Sequence, residues 1–448
     1  MSYLGRVNYN LYDKYLLTAS IRADGSSRFG DNKKYGVFPS VALGWRIKDE
    51  LFLKNVNAIT DLKFRASYGV TGNQDIGSYK SLVLLGPQGQ AIFDGTPYVG
   101  ISTTQLPNPD LKWETTTQLD LGIDFGVLDN RLTGSIDYFQ KETKDLLLQL
   151  PVPRTTGFTT TFKNIGGLKN SGFELALNSI NITAPFTWRT SANFSTIKNE
   201  VTDLGALPFI LGGSAGFTND FTIIRKGDPL NAYYGYIVDG VFQTGDNIAT
   251  SAQPLARPGE YKYRDVNGDG AINSADRTIL GSPFPKFSYG LNNDITYGPF
   301  NLSFFFQGVQ GSQLFNLNRT ESENPISFRR NRLVETYADR WTPTNPTNAN
   351  SSAVPVAVAY TSNVNSRAVE DASYLRLKTL QLSYNFPTAK WKHVRNVQVY
   401  VTGQNLFTIT KYTGYDPEVS AFGTSNVRAD YNAFPLSRTY TAGLSINL

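Results

Sequence analysis

Apolar and polar residues alternate along this chain with period two, over segments of ten residues and more. Leu119, Leu121, Ile123 and Phe125 alternate with Asp120, Gly122, Asp124 and Gly126. Leu62, Phe64, Ala66, Tyr68 and Val70 alternate with Lys63, Arg65, Ser67 and Gly69, and the same holds for Val41, Leu43, Trp45 and Ile47. Successive side chains of a β-strand point to opposite faces, so each segment reads as a strand with one apolar and one polar face. About thirteen segments qualify, near 3–11, 15–23, 36–47, 61–70, 114–127, 131–144, 169–182, 185–199, 286–297, 300–311, 372–386, 394–408 and 437–448. Strands of soluble domains run to about five or six residues, whereas about ten are needed for a tilted strand to cross a bilayer. The pattern predicts an all-β chain forming an antiparallel transmembrane β-barrel. Phe287, Tyr289, Leu291, Ile295 and Tyr297 share one parity, interrupted by Asn293. One alternation breaks: Leu375 and Leu377 are odd, while Leu380, Leu382, Tyr384 and Phe386 are even. A bulge or the barrel rim accounts for such a break.

The connections alternate in length. Short ones fall at 12–14, 48–60, 128–130, 183–184, 298–299 and 387–393; long ones at 24–35, 71–113, 145–168, 200–285, 312–371 and 409–436. Bacterial outer-membrane barrels have short periplasmic turns and long extracellular loops, so the chain is expected to end at the periplasmic side. An odd number of strands cannot close an up-and-down barrel, and bare edges are not tolerated in hydrocarbon. An incomplete barrel is therefore expected; a large secreted β-sandwich or solenoid is the other reading of the strands. No stretch reaches the roughly 18 apolar residues of a membrane helix. Met1 leads straight into a strand pattern with no apolar leader segment, so an export signal is expected upstream.

Composition removes several chemistries. There is no Cys, which excludes disulfides and thiolate metal sites. The single His, His393, excludes a multi-His site and most His-based catalysis, and reads as a solvated turn residue. The net charge of +5 is dispersed, with no basic run longer than Arg329–Arg330, so no nucleic-acid footprint is present.

The sharpest local motif is Asp265-Val-Asn267-Gly-Asp269-Gly270-Ala271-Ile-Asn273-Ser-Ala-Asp276. It fits an EF-hand-like loop, with oxygen ligands at positions 1, 3 and 5, Gly at 6, a carbonyl at 7 and an acid at 12. A hard cation such as Ca²⁺ takes six to eight oxygens. Asp265, Asn267, Asp269, the Ala271 carbonyl and Asp276 would supply them, with Asn273 bound directly or through water. Asp replaces the usual Glu at position 12, and both flanks read as extended. The alternative is an Asn/Asp/Gly-rich turn without metal. Loop aromatics Tyr233, Tyr234, Tyr236, Trp113 and Trp341 are candidates for stacking on sugar rings, or else pack loops and line the membrane interface. Arg65, Lys63, Arg376 and Lys378 alternate with apolar residues and point to the polar side, as solute-path or domain-contact residues. Glu114 with Asp120 and Glu370 with Asp371 read as rim or lumen charges, because nothing in their spacing selects a glycosidase pair. The Asn181 and Asn193 sequons lie in strands and read as coincidences.

Six stretches resemble SusC/RagA-like TonB-dependent transporters, in the family's order and along almost the whole chain. They are Lys14–Gly30, Val37–Trp45, Leu62–Asn73, Asn108–Glu114, Ser373–Pro387 and Val399–Glu418. The resemblance implies a barrel of about 22 strands in the cell outer membrane, to which residues 1–448 would contribute the C-terminal thirteen. It implies a non-enzymatic transporter that imports a bulky nutrient, a glycan or a peptide, with a SusD-like surface lipoprotein and energy from TonB. It also implies that the plug, TonB box, signal peptide and first strands lie outside this sequence, and that 200–285 is a long extracellular loop carrying the EF-hand-like segment. Leu448 stands where many such barrels end in Phe. Two other functions stay open at this point: a non-transporting surface barrel or adhesin, and a secreted Ca²⁺-dependent carbohydrate-binding or carbohydrate-active β-protein.

Overall fold

A computed structural model describes residues 1–216, 218–323, 334–347, 364–388, 394–421 and 427–447. His393, Arg329–Arg330 and Leu448 lie outside the described residues. The chain divides into two units, Met1–Asn181 with Ser191–Pro208, and Ile182–Thr190 with Phe209–Leu448. Thirteen long strands are described. The first unit holds β1 (Ser2–Leu11), β2 (Tyr15–Gly25), β3 (Tyr35–Arg46), β4 (Ile59–Asn73), β5 (Glu114–Val127), β6 (Leu132–Lys144) and β7 (Gly167–Ile182). Strand β8 (Thr187–Thr196) falls at the division. The second unit holds β9 (Phe287–Tyr297), β10 (Phe300–Gln310), β11 (Tyr374–Phe386), β12 (Asn396–Thr410) and β13 (Thr439–Asn447). The sequence-based boundaries hold, with the widest gaps at Val70 against Asn73 and Asn199 against Thr196. Among the described residues no helix is long and apolar enough to cross a membrane, which leaves crossing by strands untouched.

Within each unit consecutive long strands pair antiparallel in a register that joins apolar residues into continuous rows. In the first unit one row runs Tyr9–Leu17–Leu43–Ala66–Leu121–Tyr138–Phe173. The next runs Leu11–Tyr15–Trp45–Phe64–Ile123–Ile136–Leu175. In the second unit Ile295–Leu302–Leu382–Val401–Ala442 form an equivalent row. These rows face outward: Leu43 is 55% exposed and Phe173 57%. A soluble domain buries such rows against another layer; here they form an apolar surface suited to hydrocarbon.

The broken alternation in β11 is a bulge. Phe306 pairs with Leu377 and Phe305 with Thr379, leaving Lys378 as an extra residue against β10; against β12, where Leu377 pairs with Phe407 and Thr379 with Gln404, the extra residue lies on β12. Two residues on the bulged strand oppose one on its neighbour, so Leu377 and Leu380 stay on the apolar side although three positions apart. Asn293, the polar interruption in β9, is buried. Its Oδ1 accepts from Trp188 Nε1 at 2.9 Å and Thr190 Oγ1 at 2.7 Å, which satisfies the amide oxygen on the apolar side.

Among the described residues the long connections carry small cores and short strands of their own. In the first unit Phe29, Phe38, Ile76, Leu111 and Trp113 form a small core between loops 24–35 and 71–113. Trp113 packs 5.2 Å from Phe29 and 5.3 Å from Phe38, and its Nε1 donates to the Lys34 carbonyl. In the second unit Ile210–Ala215, Thr218–Ile224, Ala232–Gly235 and Thr278–Gly281 make a four-stranded sheet. Gln313–Asn316 pairs antiparallel with Val369–Asp371 and parallel with Ala429–Asp430. These strands are only two to seven residues long, too short to show period two.

The bulge generates a test. Removing Lys378 leaves every neighbour of β11 on its present face, whereas removing Ser303 from regular β10 turns Phe304 and Phe306 to the polar side. The full-length protein lacking Lys378 is expected to yield a heat-modifiable barrel on denaturing gels, and the one lacking Ser303 is not. Equal yields from the two deletions would refute the register.

Candidate functional site

Opposite the apolar rows each unit presents a polar face. In the first unit Arg65 on β4 reaches across two strands. Its Nε and Nη2 donate to Asp124 on β5 at 2.8 Å each, and Nη2 also donates to Asp137 on β6 at 2.8 Å. The register places Gly122 between Arg65 and Asp137. A Cβ at Gly122 would meet the Asp137 carboxylate and the Arg65 guanidinium, so a larger residue there would displace these side-chain ends. Lys63 sits in register with Asp124. All three charged groups of the cluster are partly hydrated. Such pairs contribute at most about 1 kcal/mol each; their effect is a wet, charged wall rather than a stabilising core.

The second unit holds a tighter arrangement. Arg376 on β11 is 2% exposed. Its Nη2 donates to Asp416 at 2.7 Å, Nη1 to Glu418, and Nε to Thr408 Oγ1 at 2.8 Å. Glu418 also accepts from Tyr374 OH at 2.6 Å, and Lys378 lies 3.5 Å away. Asp416, itself 4% exposed, accepts the Glu418 and Leu436 amides at 2.9 and 3.1 Å. A buried guanidinium thus fixes loop 409–436 against the strand wall. Glu370 is likewise buried, accepting from Asn316 Nδ2 at 3.0 Å, Arg319 Nη1 at 3.3 Å and the Thr413 amide at 2.8 Å. Its neighbour Asp371 caps the Ser373 amide. Tyr412 OH donates to Asp430 Oδ2 at 2.7 Å, and Asn318 to Asp430 Oδ1 at 2.9 Å. Burial raises the Asp430 carboxyl above the usual carboxylate range and pushes the Tyr412 phenol up. These groups hold one loop to another. Sequence reasoning missed Asp416 and Asp430. Arg376 and Asp416 are 40 residues apart, and no local spacing signals the pair.

The stacking candidates divide. Tyr233 is fully buried, donates to the Gln313 and Arg428 carbonyls and packs 6.1 Å from Phe315. Trp341 is buried, with Nε1 donating to Gln243 Oε1 at 2.8 Å. Tyr234 and Tyr236 are half-buried. The Arg277 guanidinium lies 4.6 Å from the Tyr234 ring centre, and Tyr236 packs 5.3 Å from Tyr263.

Within 265–276 the carboxylates gather backbone amides. Asp265 Oδ1 and Oδ2 accept from Gly268 and Gly270 at 2.7 and 2.8 Å, Asn267 Oδ1 from Asp269, and Asp269 Oδ1 from Ala271. Asp276 is buried and accepts from Val266 and Asn273 at 2.9 and 2.8 Å, closing the loop. Asn273 caps a short 3₁₀ turn, and its Nδ2 lies 3.2 Å from the Ala271 carbonyl. Gly270 has φ +81°, the left-handed turn that position 6 requires. The Asn267 amide holds the Asp269 carboxyl below its ordinary range. Among the described residues no group of three or more His, Cys, Asp or Glu side chains converges as a metal cluster.

Residues 2–406 match the family described as "TonB dependent receptor-like, beta-barrel". This chain belongs to that family. Its relatives specify the branch as SusC/RagA. It is 39% identical over 461 residues to TonB-dependent receptor P3 of Formosa agariphila, covering 100% of this chain and 45% of the relative. It is 33% identical over 467 residues to TonB-dependent receptor SusC of Bacteroides thetaiotaomicron, covering 100% of this chain and 43% of SusC. Among solved structures it superimposes on the RagAB peptide transporter with a TM-score of 0.83 and 27% identity, over 99% of this chain and 47% of that one. The chain spans about half the length of the curated relatives it matches. The TonB-dependent receptor barrel is an outer-membrane fold. Its apolar rows are the lipid face and the Arg65 side is the polar face.

Removing one partner of a buried charge network leaves the others uncompensated, at a cost of about 3–5 kcal/mol. Arg376→Met in the full-length protein is expected to lower its unfolding temperature and expose segment 411–421 to protease. Arg376→Lys should give a smaller loss, because an ammonium keeps the charge, yet a loss all the same, because it cannot bridge Asp416, Glu418 and Thr408 as a fork does. Wild-type protease resistance in Arg376→Met would refute the role.

Proposed function

We propose that, within the full-length protein, this chain forms the C-terminal wall of a TonB-dependent importer for a bulky nutrient, a glycan or a peptide. A SusD-like surface lipoprotein assists it, and TonB supplies the energy. The likeness to the RagAB peptide transporter over 99% of the chain carries this reading, supported by the relationship to SusC. The charged Arg65 face fits a hydrated solute path, and Tyr234 and Tyr236 are the stacking candidates that keep exposed ring surface. In this reading the long connections, including 200–285, face the cell exterior and the short ones the periplasm. Deleting the full-length gene is expected to abolish growth on one class of oligosaccharide or peptide as sole nutrient while sparing growth on the corresponding monomers. Wild-type growth on every such nutrient would sink the proposal. Affinity purification of the full-length protein is expected to carry a surface lipoprotein with it.

We also propose that the 265–276 loop takes one Ca²⁺ as a structural clip, through Asp265, Asn267, Asp269, the Ala271 carbonyl and Asp276, with Asn273 direct or water-mediated. The 1-3-5-7-12 spacing supports this, as does a turn already ordered by its own amides. In chelator-treated full-length protein, Ca²⁺ is expected to protect segment 261–281 from protease, and Asp265→Ala with Asp269→Ala to abolish the protection. Protection that is indifferent to Ca²⁺ would leave the segment as an ordinary turn.

A further inference from the structure

The lipid face of the first unit is not evenly filled. Near the ends of β1–β4 that adjoin connections 12–14 and 47–58, a groove of about 330 Å³ opens on it, lined by Leu17, Leu43 and Phe64 and by the rings of Tyr9, Tyr15 and Trp45. That volume lies at the lower end of small-ligand sites, roughly 300–1,000 Å³, yet the lining offers almost no polar atom. It continues the apolar rows that form the membrane face, so whatever fills it comes from the hydrocarbon.

The aromatic rings are held from outside the groove. Tyr15 OH and Trp45 Nε1 both donate to Glu50 Oε1, at 2.6 and 3.2 Å, and Lys14 Nζ pairs with Glu50 Oε2 at 3.0 Å. The two rings lie nearly parallel, 17° apart with centres at 6.5 Å. The Tyr15, Lys14 and Trp45 bonds hold the Glu50 carboxyl at about 2, so it stays charged and the clamp intact at physiological pH. Rings fixed in this way do not collapse into the groove, and a preformed groove binds a flexible chain with less ordering cost than a mobile one. Beside the clamp stand charges of both signs: Lys14 and Glu50, and Arg46 paired with Asp49 at 2.9 Å. A zwitterionic headgroup meets both.

We propose that this groove is a discrete phospholipid site. One acyl chain lies along Leu17, Leu43 and Phe64, and the headgroup sits against the Lys14–Glu50 and Arg46–Asp49 pairs. The choice of phospholipid rests on the orientation proposed above, which puts the short connections in the periplasmic leaflet.

Full-length protein stripped of lipid in detergent and titrated with dioleoyl phosphatidylethanolamine is expected to show one discrete adduct by native mass spectrometry. Leu43→Phe, which fills the groove, should weaken that adduct about tenfold or more, whereas Leu121→Phe in the same apolar row should leave it unchanged. Glu50→Gln, which loosens the ring clamp, should weaken it while heat-modifiability shows an intact barrel. Absence of a discrete adduct, or equal behaviour of Leu43→Phe and Leu121→Phe, would overturn the site and leave the orientation standing. Binding of lipopolysaccharide in place of phosphatidylethanolamine would overturn the phospholipid assignment and reverse the orientation as well.

Discussion

A backbone amide in hydrocarbon has no water to turn to, and each unpaired one costs several kcal/mol. A chain that crosses a bilayer as strands must therefore pair each strand along its whole length, and pairing fixes register. Once register is fixed, period two assigns every side chain to lipid or to the wet side. The row Tyr9–Leu17–Leu43–Ala66–Leu121–Tyr138–Phe173 crosses seven strands without a charged residue. Displaced by one position on a single strand, it would bring a group such as Arg65 or Asp120 into hydrocarbon. The polar face tolerates more, because water satisfies what side chains do not.

The departures from regularity follow from the same constraint. Lys378 breaks the alternation of β11, and a bulge absorbs it so that no leucine changes side. Asn293 interrupts an apolar row, and Trp188 and Thr190 supply the donors that water cannot. Gly122 leaves the space through which Arg65 reaches both carboxylates. In each case one residue that looks misplaced in its own strand is explained by its neighbour across the sheet.

The strands were legible in the sequence because their information is local: ten or more alternating residues state both the element and its faces. The loops were not. Their strands are short, their register is set by partners far along the chain, and their stability comes from buried polar contacts such as Arg376–Asp416 and Asn316–Glu370. Tyr233 shows the cost of reading a loop residue alone. As a loop tyrosine it is a sugar-stacking candidate, but the structure seats its hydroxyl on the Arg428 carbonyl 195 residues away and leaves no ring surface exposed. Segment 265–276 differs from these loops, since its positions bond mainly to one another.

A wall ordered by register and loops ordered by buried polar groups answer to different constraints. The strands tolerate little change on the lipid side, because each row must stay apolar from strand to strand. The loops tolerate much, provided that a few fixed points persist: Arg376 with Asp416 and Glu418, Glu370 with Thr413, Tyr412 with Asp430. Those groups bond to the chain itself. Exposed residues that take no part in these bonds are free to vary without loosening the loops. Exposed loop positions can then change while the anchors and the strand wall stay the same.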